Sequence, residues 1–192
     1  MSTLVLAREN KPSTPPPRAA HRPSWAGKPP PFIQQTTERQ MDIEEEILKE
    51  LAPYTGIKHL VIEHNQRKII KTLSSKFQFS GSKIDWNRTQ DHWLHNYNPE
   101  NKTIETTEKL KIAEHELQKR NFQFVLDRTS KVCYINDSSL NFGLTISNRI
   151  FWEIFKILII NAPQHHYFLA EDGSWCLAIT MEGFMDYGES LK

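Results

Sequence analysis

Apolar residues recur at helical spacing in four stretches of the chain, and at strand spacing or in short unbroken runs in five others. Met41, Ile43, Ile47, Leu48 and Leu51 predict an amphipathic helix that begins at Thr37 and ends before Pro53. Its acidic cluster, Asp42, Glu44, Glu45 and Glu46, lies in the half where the helix dipole favours negative charge. Residues 57–63 read as a short strand, and residues 67–77 as a helix carrying Ile69, Ile70 and Leu73 on one face. Residues 104–120 are the clearest helix, with Ile104, Leu110, Ile112, Ala113 and Leu117 spaced among Lys and Glu. Residues 122–127 and 131–136 read as two strands joined by a turn at Arg128, Thr129 and Ser130.

Residues 147–160 are apolar on nearly all sides, too few for a bilayer span, and predict a core helix capped by Ser147 or Asn148 and stopped by Pro163. Residues 165–169 and 174–180 flank Glu171-Asp172-Gly173, a hairpin signal that suggests a type I′ turn. Residues 81–98 and 181–192 suggest no definite element. Strands and helices are segregated along the chain, so the expected class is α+β: an antiparallel sheet of four or five strands packed against three or four helices.

Proline changes the picture at the start. Eight of the eleven prolines fall between Pro12 and Pro31, and proline supplies neither a helix-interior amide nor a ladder donor. Residues 1–36 are therefore expected to form a proline-rich, extended leader, and residues 37–192 a single domain. The leader has two readings besides a plain tail. It could be presented by an adaptor to a proline-reading groove with Trp25 and Phe32 as anchors, or it could target the chain, which its short apolar start and its prolines argue against.

Charge marks the same boundary. Residues 1–40 hold six basic and two acidic side chains, a net of +4; the other 152 hold 18 and 21, a net of −3. A mildly acidic domain makes nucleic acid an improbable partner. Two cysteines, Cys133 and Cys176, exclude a disulfide scaffold, and both sit in apolar runs where a thiol behaves as a small hydrophobe. The expected setting is cytoplasmic, with no membrane span.

Candidate chemistry is sparse. His92 and His95 stand three residues apart and would share a face on a helix; with Asp91 or Asp85 they could serve a metal-dependent hydrolase. No HExxH pattern accompanies them, and neither a nucleophile elbow nor a phosphate loop occurs among seven glycines. His165 and His166 are adjacent, so on a strand they face opposite ways and at most one looks into a site. No cofactor is called for.

The last segment is the most distinctive. Residues 161–192 carry a net of −4, with aromatic and methionine side chains among the acids. Glu171, Asp172, Glu182 and Asp186 would steer a basic protein partner, and Phe184 and Tyr187 would anchor it.

The run from His165 to Cys176, followed by Met181-Glu182-Gly183 and Tyr187-Gly188, resembles the closing segment of small bacterial proteins of the immunity type, the antitoxin partners of polymorphic and contact-dependent toxins. The resemblance covers about a fifth of the domain and implies a cytosolic, non-catalytic protein that covers a toxin's active site. The expected function is accordingly protein binding, with an immunity role as its specific form.

Overall fold

The computed structural model describes residues 31–56, 59–81, 83–98, 100, 102–137 and 140–191, with side chains from residue 42 onward. In chain order the elements are α1 (Pro31–Thr55), β1 (Leu60–Glu63), α2 (Arg67–Lys76), β2 (Phe79–Ser80), β3 (Lys83–Ile84), β4 (Gln90–Asn96), α3 (Thr106–Lys119), α4 (Phe122–Asp127), β5 (Lys131–Asn136), β6 (Gly143–Ser147), α5 (Phe151–Asn161), β7 (His166–Ala170), β8 (Trp175–Ile179) and β9 (Phe184–Glu189). Seven strands form one sheet in the order β1-β6-β5-β7-β8-β9-β4, every neighbouring pair antiparallel, and β2 and β3 form a separate small hairpin. The α+β class is as expected, with a larger sheet. No helix among the described residues is long and apolar enough to cross a membrane.

Both faces of the central strands are covered, which is why those strands read as nearly unbroken apolar runs. Val132, Tyr134, Phe168, Ala170, Trp175, Leu177 and Ile179 pack in the main core, with Leu117 of α3, Phe122 of α4 and Phe155 of α5. The alternate residues Cys133, Ile135, Leu169 and Cys176 turn to the other face, under Ile69, Leu73 and Phe77 at α2. The second core is small and stops short of the β9 side, leaving that part of the face open.

Several expectations are corrected. Residues 122–127 form helix α4, not a strand: Phe122 and Leu126 are buried one turn apart while Phe124 is 63% exposed. Asn121, in the left-handed region at φ 54°, separates α4 from α3. Helix α1 begins at Pro31, where proline suits a first helical position. It also continues past Pro53 to Thr55, whose hydroxyl donates to the Ala52 carbonyl. Residues 1–30, and Trp25 with them, lie outside the described residues.

The hairpin at Glu171–Asp172–Gly173 is present, but only Gly173 has positive φ (+73°), and its amide bonds to the Ala170 carbonyl. That is a type I turn followed by a left-handed glycine, not type I′. Strands β4, β6 and β9 were not foreseen. Ser147 closes β6 and accepts from the Arg149 amide, capping the short 3₁₀ turn that leads into α5.

Candidate functional site

A groove of about 190 Å³ lies on the α2 side of the sheet, beyond the end of the second core. Strand alternation builds one wall. Phe184 and Asp186 are two apart on β9 and project to the same face, while Met185 and Tyr187 point into the main core. Glu182 comes from the β8–β9 turn, His165 and Tyr167 from the start of β7, and Lys83 and Trp86 from the β2–β3 hairpin and the turn after it.

His92 shares the face of Leu94 and Asp186 and sits beside a bulge. The β4–β9 register shifts between Gln90 and Trp93, and Asp91 takes φ 49° there. The bulged His92 brings Nε2 to 3.1 Å from Asp186 Oδ1 and stacks its ring on Trp86, centroids 5.9 Å apart and planes 9° apart. Trp86 is in turn braced edge-on by Phe77, 6.5 Å away.

The groove holds more acid than base. Asp186 is 9% exposed; burial pushes its carboxyl above the usual aspartate range, and the His92 bond only partly opposes this. Its second oxygen has no hydrogen-bond donor among the described residues. Glu182 behaves differently. Partial burial raises its pKa, but its own amide, His165, the Thr180 hydroxyl and Lys83 together hold it below the ordinary value. It lies 3.6 Å from Lys83 Nζ and 3.4 Å from His165 Nδ1, which also accepts from the Met181 amide. Burial lifts the Tyr167 hydroxyl to about 12, so it stays protonated and able to donate.

The six residues expected to form one acidic aromatic surface are divided. Glu182, Phe184 and Asp186 meet in the groove. Glu171 and Asp172 are at the opposite end of β8, in the β7–β8 turn, where Glu171 pairs with Lys131 at 3.4 Å and Asp172 accepts from the Ser174 amide at 2.9 Å. Tyr187 is 4% exposed, stacked on Trp93 at 5.6 Å on the helix-covered face, and anchors the core rather than a partner.

His92 and His95 are also separated. On a strand, residues three apart face opposite ways, and His95 Nδ1 points toward Glu116 of α3 at 3.8 Å. They cannot hold one ion together; Asp85 pairs instead with Arg88 at 3.3 Å. Among the described residues no three His, Cys, Asp or Glu side chains group as a metal site. His165 looks into the groove and His166 into the core, where its Nδ1 meets the Tyr134 hydroxyl at 3.1 Å. Cys133 and Cys176 are buried under α2, and desolvation raises both thiols. Trp86 and Lys83 were missed because residues 81–98 show no clean period; a tryptophan beside an acid was their one signal. Compared with known proteins, the chain matches no family model and no curated protein.

Proposed function

We propose that this chain is a non-catalytic protein-binding domain whose groove receives a basic side chain of its partner. Asp186 carries the reading. A nearly buried carboxylate whose second oxygen has no donor among the described residues, its ionised form disfavoured by burial, gains a partner for its charge when a guanidinium or ammonium enters. Trp86, Tyr167 and Phe184 give the flat walls on which a guanidinium stacks. Glu182 at the rim adds field that steers the approach. An immunity role fits this geometry, since the basic surface of a toxin domain is the kind of partner the groove would take.

The test is capture from the source organism's extract with the wild-type chain, followed by titration of the recovered partner against Glu182→Lys/Asp186→Lys. The expected result is at least a tenfold loss of affinity and a flatter salt dependence. Unchanged affinity and salt dependence would remove the groove from consideration.

A further inference from the structure

β4 borders the groove through His92, which touches Asp186 and Trp86 of its lining, and β4 is the last strand of the sheet: among the described residues it pairs with β9 alone. Its hydrogen-bonding parity follows from the turn that precedes β9. The Tyr97 amide bonds to the Gly183 carbonyl at 2.8 Å, which makes that opposed pair a hydrogen-bonded one. In an antiparallel ladder the type of pair alternates, so Leu94 with Asp186, and Asn96 with Phe184, are non-bonded pairs. The amides and carbonyls of Leu94 and Asn96 therefore point away from β9, toward the open edge.

The side chains on that edge lead into the groove. Leu94 is 51% exposed and stands opposite Asp186 on the same face; Phe184, 36% exposed, stands opposite Asn96. A residue on a strand added outside β4 would sit two strand spacings from β9, about 9–10 Å. A lysine or arginine there could lay its aliphatic stem over Leu94 and carry its charge to Asp186. Its immediate neighbours would point to the other face, so the groove takes one cationic side chain of an extended partner.

We infer that the partner binds by adding an extended strand to β4, with its backbone on Leu94 and Asn96 and a cationic side chain crossing Leu94 into the groove. This rests on the groove reading for the fate of the side chain, but the strand pairing has its own observable. A second copy of this chain is a poor occupant, because β4 itself (Gln-Asp-His-Trp-Leu-His-Asn) offers no lysine or arginine for Asp186.

The experiment titrates a capped synthetic peptide of alternating arginine and valine into the isotope-labelled full chain and follows amide hydrogen exchange. Leu94 and Asn96 should slow at least tenfold while Trp93 and His95, already bonded to β9, do not change. Leu94→Pro removes the outward amide, as edge strands tolerate, together with the Leu94 side chain, and should abolish the protection of Asn96. Asp186→Asn should weaken peptide binding roughly tenfold, the worth of one charge-assisted bond. Binding that leaves Leu94 and Asn96 unprotected and is indifferent to Leu94→Pro would overturn strand addition yet leave the groove reading standing. Protection unaffected by Asp186→Asn would do the reverse. Absence of binding, or protection that grows with protein concentration alone, would overturn the proposed occupant.

Discussion

His92 reaches Asp186 across the β4–β9 pair at 3.1 Å although the register sets Leu94, not His92, opposite that carboxylate. Alternation puts His92 on the face of Leu94, and beside the bulge at Asp91 its imidazole reaches the diagonal carboxylate, so an edge strand supports a nearly buried acid.

Asp186 should cost the fold stability at neutral pH. Its folded pKa is raised by burial above the ordinary 3.8, so the folded chain holds that proton more tightly than the unfolded one. The corresponding stability is fully present below the unfolded value and is lost as pH rises through the folded one. Asp186→Asn should therefore be as stable as the wild type at pH 7 or more stable, by up to about 1 kcal/mol, while losing affinity for basic peptides. Urea unfolding of both proteins checks the first half; a clear loss of stability would mean that the carboxylate is a structural group.

Glu116 works in the opposite direction. It is a buried acid on α3 whose carboxylate accepts from Arg120 Nε at 2.6 Å, and the same guanidinium lies 4.1 Å over the Trp93 ring of β4. Burial pushes its pKa up, but Arg120, His95 and Lys119 outweigh this and bring it below the ordinary value. Its stabilisation is present above the unfolded pKa and is lost as pH falls through the folded one. Glu116→Gln should cost about 2 kcal/mol at pH 7 and less in acid, measured by denaturant midpoints across that range.

What could be read ahead of the structure depended on how completely each segment is enclosed. Strands β5 and β8, covered on both faces, show as apolar runs, and α5 as an apolar helix, so the α+β class was legible. Helix α4 was not: Phe122, Phe124 and Leu126 alternate as in a strand, and only the exposure of Phe124 reveals the helical period. Strand β4 is polar because it is an edge, and its bulge erases the alternation. Of the acids of the last segment, Glu182 and Asp186 come together in the groove and Glu171 and Asp172 do not. Without recognising β9 as a strand, however, nothing showed that Asp186 and Tyr187 must face opposite ways.

Gly183 should be irreplaceable for a local reason. It sits in the β8–β9 turn at φ +95°, and a Cβ there would collide with the Asn98 side chain and backbone. Its carbonyl also accepts the Tyr97 amide that sets the parity of β4. Gly183→Ala adds left-handed strain to a steric clash and should destabilise by about 2–3 kcal/mol. Thermal unfolding measures the loss, and hydrogen exchange should show it concentrated in the β4–β9 pair; a change below about 0.5 kcal/mol would show that the turn can relax freely.

His166 should set the acid limb of stability. Its ring is completely buried beside Tyr134 and Phe168, with Nδ1 near the Tyr134 hydroxyl and Nε2 without a partner among the described residues. Burial, with Lys109 and His165 nearby, holds its pKa well below the ordinary 6.5. The unfolded chain takes up the proton first, so stability falls as pH drops below about 6.5 toward the folded pKa. Replacing both partners, His166→Phe with Tyr134→Phe, removes the titrating group and its bonding partner together. It leaves an apolar site of similar shape, near neutral for the His166–Tyr134 contact itself, at the cost of about 1 kcal/mol for the bond between the Tyr134 hydroxyl and Asn136. The double variant should match the wild type within about 1 kcal/mol at pH 7 and lose less stability between pH 7 and 5. His166→Phe alone leaves the buried Tyr134 hydroxyl without this partner and should cost about 1–3 kcal/mol at either pH. Chemical denaturation of the three proteins at both pH values decides the matter, and an unchanged acid slope in the double variant would place the sensitivity elsewhere.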